Sequence, residues 1–206
     1  CSQTNDINDS RYWGILGSNY CKNLIYDHCI FSRFDAHMGV ANATIRNSTL
    51  GHQGINAIGS GTFIVENSTI HGRSLINLRS DYGSTWQGEF IIRNCTLVPA
   101  GGRPTSASLI GGSYSGQHDF GYTCYMPERI TIENLHIDDS KHPEDYQGPA
   151  IFGNFNPKMT DDTYVEKFPY VKTREVILRK VTTASGKTLR ISDNPFMFKD
   201  VKVITE

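Results

Sequence analysis

One nine-residue pattern recurs along the chain, and it limits the possible folds more than any other feature. Residues 23–31 align with 42–50, 62–70, 89–97 and 129–137, and two weaker copies follow at 176–182 and 197–203. Each copy reads as a short apolar alternation, a charged residue, an anchor, a small residue, often Thr, and an apolar residue. The anchors are His28, Asn47, Asn67, Asn94, Asn134, Lys180 and Asp200, at intervals of 19, 20, 27, 40, 46 and 20 residues. The short intervals give a coil of about 20 residues, and the long ones are a coil plus an insertion, or two coils of which one is degenerate. A second apolar segment precedes each anchor, at 36–40, 56–58, 76–78, 108–110, 150–152 and 189–191. Turns rich in Gly, Asn and Ser separate the segments, so each coil is expected to hold three short strands.

These repeats resemble those of the right-handed parallel β-helix proteins of the pectin-lyase-like superfamily, over residues 20–206. The expected fold class is all-β: a right-handed parallel β-helix, a solenoid of about 20-residue coils with loop insertions. The chain reads as one domain over 1–206, with a lead-in at 1–20 and a loop-rich insertion at 138–172 that carries Pro143, Pro149 and Pro157. No segment keeps the 3.6-residue period over the length of an amphipathic helix. The chain begins Cys1-Ser2-Gln3 without methionine, as a piece of a longer protein would.

At the bend before the third strand, backbone groups need partners. Asn47, Asn67 and Asn94 are expected to turn inward there and bond to one another in a buried ladder, one rung per ~4.8 Å. Leu50, Ile70, Leu97 and Ile137 are expected to stack in the core. Asn42, Asn47, Asn67 and Asn94 all begin Asn-x-Ser/Thr triplets. Burial of the anchors argues against glycosylation.

Composition narrows the function. Twenty basic and 21 acidic side chains leave a net charge of -1, without the basic excess of a nucleic-acid binder. No apolar run approaches the ~18 residues of a membrane span. The chain lacks Cys-x-x-Cys, His-Glu-x-x-His and a phosphate loop. No cofactor is expected; Ca²⁺ held by Asp138-Asp139 or Asp161-Asp162 is the alternative to solvated loop carboxylates. Five cysteines cannot all pair within the chain. Cys29 and Cys95 read as small core residues, Cys1 and Cys124 as thiols open to reaction.

Aligned at a period of 20, the first-strand segments place Asp35 with Ile55 and Leu75, His37 with Ala57 and Asn77, Met38 with Ile58 and Leu78, Gly39 with Gly59 and Arg79, and Ala41 with Gly61 and Asp81. The Met38 column points inward, so Asp35, His37, Asn77 and Arg79 should face out, with Asp81 at the strand end. Ala57, Gly59 and Gly61 empty the middle coil, which gives a groove with Asp35 and His37 about 10 Å from Arg79 and Asp81. Tyr82 and Trp86 extend its edge, where aromatic faces suit sugar rings. His118 and Asp119 add a second imidazole and carboxylate.

The stretch Ser32-Arg33-Phe34-Asp35-Ala36-His37 also resembles the Tyr-Gly-Phe-Asp-Pro-His motif of mannuronan C-5 epimerases, which sits on a parallel β-helix. Phe34, Asp35 and His37 match; Ser32 stands in place of that family's catalytic Tyr. The resemblance implies that Asp35 and His37 belong to a catalytic cluster. Epimerisation or elimination at a uronate needs a base, a group that neutralises the carboxylate, and a proton donor. His37, Arg79 and Tyr82 are the candidates. Glycoside hydrolysis would instead use Asp35 with Asp81, whose ~10 Å separation favours inversion. The catalytic set is thus His37, Asp35, Arg79 and Asp81, and the substrate-binding set Asn77, Tyr82, Trp86, His118 and Asp119. The expected function is action on, or binding of, an acidic polysaccharide, as a lyase, epimerase or hydrolase. The alternative is a non-catalytic β-helix: a sugar-binding module, an adhesin segment or a phage tail-spike shaft. The partner is a polysaccharide, with no nucleic acid and no membrane; the chain is a monomer, or a trimer if it is a shaft. The location is extracellular, on a cell surface or on a virion.

Overall fold

The computed structural model describes residues 1–12, 17–80, 83–99, 104–113, 123–165 and 170–206. Among them there is no α-helix, and every strand pairing is parallel. Three strand rows stack into a parallel β-helix. The first row holds β1 (Ser18–Asn19), the start of β4 (Phe34–Arg46), the start of β6 (Ile55–Glu66), β8 (Ser74–Leu78), β10 (Ser108–Gly111), β13 (Ala150–Phe152) and β16 (Arg190–Ser192). The second holds β2 (Lys22–Asp27), the ends of β4 and β6, and the starts of β9 (Trp86–Val98), β12 (Arg129–Ile137) and β15 (Glu175–Thr183), closed by β17 (Lys202–Thr205). The third holds β3 (Ile30–Phe31), β5 (Thr49–Leu50), β7 (Thr69–His71) and the ends of β9, β12 and β15. A small separate sheet pairs β11 (Cys124–Tyr125) with β14 (Tyr170–Val171).

Alternation along each strand sends one residue in two to the core, and parallel register stacks like on like. In the first row Phe34 pairs with Ile55, Ile55 with Ile76, Ile76 with Ile110 and Ile110 with Phe152. In the third, Leu50, Ile70, Leu97 and Ile137 stack rung on rung as their spacing predicts, all fully buried. Where coils lose residues to a bend, aromatics fill the axis: Phe63 packs on Phe34 (5.4 Å between centroids), Trp86 (5.0 Å) and Phe90 (5.6 Å).

The anchors are bends, for a reason other than inward packing. His28, Asn47, Asn67, Asn94, Asn134 and Lys180 all have φ between 49° and 54°. Asn adopts this left-handed conformation more readily than most residues, because its short amide bonds locally. The side chains do bond from coil to coil: Asn47 Nδ2 donates to Asp27 Oδ1 (3.0 Å), Asn67 to Asn47 (3.4 Å), Asn94 to Asn67 (3.2 Å) and Asn134 to Asn94 (2.9 Å). The row is exposed, which overturns the expectation of inward, buried anchors and removes burial as a bar to their glycosylation triplets. The inward position is the next residue. Ser48 and Ser68 are buried there, and each hydroxyl returns a hydrogen bond to its own bend, to Arg46 O and Glu66 O (both 2.7 Å). Cys29 and Cys95 take the same place, and burial pushes the Cys95 thiol up to about 11.

Three further expectations change. Cys124 is buried, so it is not an accessible thiol. The last repeat is out of phase: Lys202 pairs with Glu175, which leaves Asp200 in a turn. Asp139 is neither solvated nor open to a cation. It is fully buried and accepts hydrogen bonds from Tyr146 Oη (2.8 Å), Ser185 N (2.8 Å) and Ser185 Oγ (2.7 Å), which fasten the 138–172 insertion to the next coil. Asp138 accepts from Ser140, Asp161 from Thr163, and Asp162 pairs with Lys199.

Candidate functional site

The groove region is built by the first strand row, and its register differs from the even period of 20. Asp35 pairs with Asn56 and Asn56 with Asn77; Ala36 pairs with Ala57 and Ala57 with Leu78. The interval here is 21 residues. A bulge then follows in β4. Val40 pairs with Gly59, so His37, Met38 and Gly39 together oppose Ile58 alone. Gly39, with φ of 65°, makes the bend, and the extra residues shorten the next interval to 19. His37 is therefore on a bulge, half-buried, and not in a column with Ala57 and Asn77. Met38 does not stack on Ile58.

Asp35 does face away from the core axis but is not on an open groove; it is 2 % exposed. Arg33 Nη2 lies 2.6 Å from its Oδ2 and Arg79 Nη1 lies 2.7 Å from its Oδ1. The lead-in strand β1 pairs with β4 beside it, and a Cβ placed on Gly17 would stand 3.4 Å from Asp35 Oδ2. Arg79 thus reaches back over the middle coil to contact Asp35 directly, rather than facing it across ~10 Å of open groove. Ser32, at the catalytic Tyr position of the epimerase motif, is fully buried, and its N–H donates to Gln3 Oε1 (2.8 Å).

Trp86 is not a sugar platform. It is fully buried between Phe63 and Phe90, and its Nε1–H donates to Gly61 O (2.9 Å). Gly59 makes room for it: a Cβ there would come within 2.9 Å of Trp86 Cζ3. Asp81, Tyr82, His118 and Asp119 lie outside the described residues.

Asn77 stands where a ligand can reach it. Its Nδ2 donates to Asn56 Oδ1 (3.1 Å), and Asn56 Nδ2 donates to Gln53 O (2.9 Å). These amides line a cleft of about 260 Å³ with His52, Gln53, Gly72, Arg73 and Ser74. Gly111 closes the column: a Cβ there would lie 2.2 Å from Ser74 Oγ and 3.1 Å from Asn77 Oδ1. The even-period alignment missed Asn56 by one residue and gave no reason to notice Arg73.

A second cleft, of about 300 Å³, opens at the corner between the first and second rows. Its floor is Gly61 and Gly88, with φ of 84° and 149°. Asn42 Oδ1 accepts Thr62 N–H there (3.0 Å) and would be struck by a Cβ on Gly61 at 2.3 Å. Glu89 and Glu128 line it; Glu89 accepts from Thr62 Oγ1 (3.2 Å) and Glu128 pairs with Arg174 (3.0 Å). Their sequence signal was the glycine column 61–88, which the reading of the repeat passed over.

Among the described residues no helix is long and apolar enough to cross a membrane, and no three metal-ligating side chains cluster. No family model and no solved structure matches the chain. The chain is 32 % identical over 108 residues to a capsule KL64-specific depolymerase of Klebsiella phage P510, across 45 % of this chain and 10 % of that protein. The match thus spans about a tenth of the relative's length.

Proposed function

We propose that this chain is part of a polysaccharide-acting β-helix of a phage, carried on the virion or released outside the cell, and that its ligand is an acidic polysaccharide. The similarity to a capsule depolymerase carries the reading. The fold supports it, since a parallel β-helix offers a long sheet face with regularly spaced polar side chains. The polar column of Asn56 and Asn77 is such a face.

For uronate elimination, a base removes the proton from the carbon next to the carboxylate. The electron pair forms the new double bond, and the glycosidic oxygen leaves and takes up a proton. His37 is the proposed base, held on the bulge of β4. Arg79 already spends a guanidinium N–H on Asp35, which makes it a positioning group and passes carboxylate recognition to another cation. A hydrolytic reaction would draw instead on Glu89 and Glu128, the described carboxylates that share a cleft.

A second reading has its own support. Asp35 is enclosed by two arginines and Trp86 is buried, so a non-catalytic saccharide-binding module fits these coils as well. The test incubates the chain with capsular and other acidic polysaccharides and measures unsaturated uronate ends and reducing ends separately. Unsaturated ends that fall at least ~100-fold in His37→Ala support elimination with His37 as base. Unsaturated ends unchanged in that variant place the base elsewhere. Reducing ends alone support hydrolysis. Binding with no new ends supports the module.

A further inference from the structure

Arg73 is exposed on the rim of the cleft that Asn56 and Asn77 line. It makes no ion pair and no side-chain hydrogen bond among the described residues. Every other arginine among those residues is paired with a carboxylate, including the two that enclose Asp35. Among the described residues, the cleft lining contains no Asp or Glu to take Arg73 as a partner. In a chain of net charge -1 whose other described guanidiniums are matched to acids, this one is left for something outside the chain.

The rest of the lining says what that is. Gln53, Asn56, Ser74 and Asn77 present amides and a hydroxyl, the groups that pair with sugar hydroxyls. The orientations of Asn56, Asn77 and Ser74 are set before any ligand arrives. Asn56 is held by Gln53 O and by Asn77, and Ser74 Oγ lies 2.8 Å from Ser108 Oγ. His52 Nδ1 is fixed 3.0 Å from Ile7 O. Such preorganisation lowers the ordering cost of binding. Gly72 gives the floor no side chain, and its Cα lies close enough to Gly54 that a Cβ would meet Gly54 Cα at 3.3 Å. With Arg73 on the rim and no acid among the described lining residues, the cleft favours an anion.

Resting on the polysaccharide reading above, we infer that this cleft is the subsite for a carboxylate-bearing sugar, with Arg73 clasping the carboxylate and Asn56 and Asn77 the ring hydroxyls. The planar guanidinium suits a carboxylate because it donates two parallel N–H bonds.

The experiment measures binding of wild-type chain and Arg73→Gln to uronate-containing polysaccharides, each compared with its carboxyl-reduced form, in which the uronates have become neutral sugars. Wild type is expected to lose at least tenfold in affinity on carboxyl reduction. Arg73→Gln is expected to bind both forms alike, at the wild-type level for the reduced one. An intact melting temperature shows that the variant is folded, and Arg73→Lys is expected to recover only part of the discrimination. If Arg73→Gln still discriminates as wild type does, or if wild type binds both forms equally, the assignment is overturned while the polysaccharide reading stands. If wild type binds no acidic or neutral polysaccharide, the functional reading itself falls and this subsite with it.

Discussion

Arg79 Nη1 stands 2.7 Å from Asp35 Oδ1, although 44 residues separate the two in the chain. Two coils bring them together, because Asp35, Asn56 and Asn77 share one column. The carboxylate is buried, and Arg33 completes its coordination. Asp35→Ala should therefore remove the buried carboxylate that two poorly solvated guanidiniums share, at a cost of about 3 kcal/mol or more in urea unfolding. Arg79→Ala should cost less, since Arg33 still answers the carboxylate. Equal losses would mean that Arg33 contributes little.

Trp86 gives the sharpest contrast between a binding role and a packing role. With no exposed surface and rings on two sides, Trp86→Ala should lose about 3–5 kcal/mol, enough to unfold much of the stack. Trp86→Phe should keep most of the packing but leave Gly61 O without its donor, a loss of about 1–3 kcal/mol. Chemical denaturation followed by circular dichroism checks both. A Trp86→Ala variant that melts like wild type would contradict its burial.

The cost of changing an anchor should come from the backbone. Asn67 has φ of 49° and its side chain is exposed. Asn67→Gly should be nearly neutral, because glycine takes a positive φ without penalty. Asn67→Ala should lose about 1–2 kcal/mol, the price of holding an L-residue left-handed. Were Asn67→Gly and Asn67→Ala to lose equally, the amide row rather than the bend would hold the corner.

The repeat made the solenoid legible, and with it the strand rows and the Leu50, Ile70, Leu97 and Ile137 column. These follow from alternation and a fixed period, which the residues themselves carry. The first row was misregistered because its coils do not share one length. The interval is 21 from Asp35 to Asn56 and 19 from Val40 to Gly59, and a period of 20 averages the two. Only the bulge at Gly39 separates them; an isolated glycine in a strand is a mark of such a bulge, and an alignment at one even period makes no use of it. The pairing of Asp35 was hidden for a different reason. It depends on Arg33 and on the lead-in strand folding back, contacts that no local pattern encodes. The direction of the anchors was misjudged because an Asn on a bend has two ways to be useful, and a left-handed φ leaves no mark in the sequence beyond the Asn itself.

Acid sensitivity should trace in part to His71, at the end of β7. Its ring is half-buried, Nδ1 is enclosed without a hydrogen-bond partner among the described residues, and burial lowers its pKa below the ordinary histidine value. In the unfolded chain the ring recovers that ordinary value, about 6.5. Between the lowered folded value and this one, the unfolded state binds more protons than the folded state, so stability rises with pH across the window. The contribution is complete above about pH 6.5 and is lost as pH falls through the window to the folded value. A melting temperature that declines from neutral pH toward acid is therefore expected. His71→Gln, which cannot take up the proton, should flatten that decline while changing the neutral-pH melting temperature little. An unchanged pH slope in His71→Gln would assign the decline to other groups.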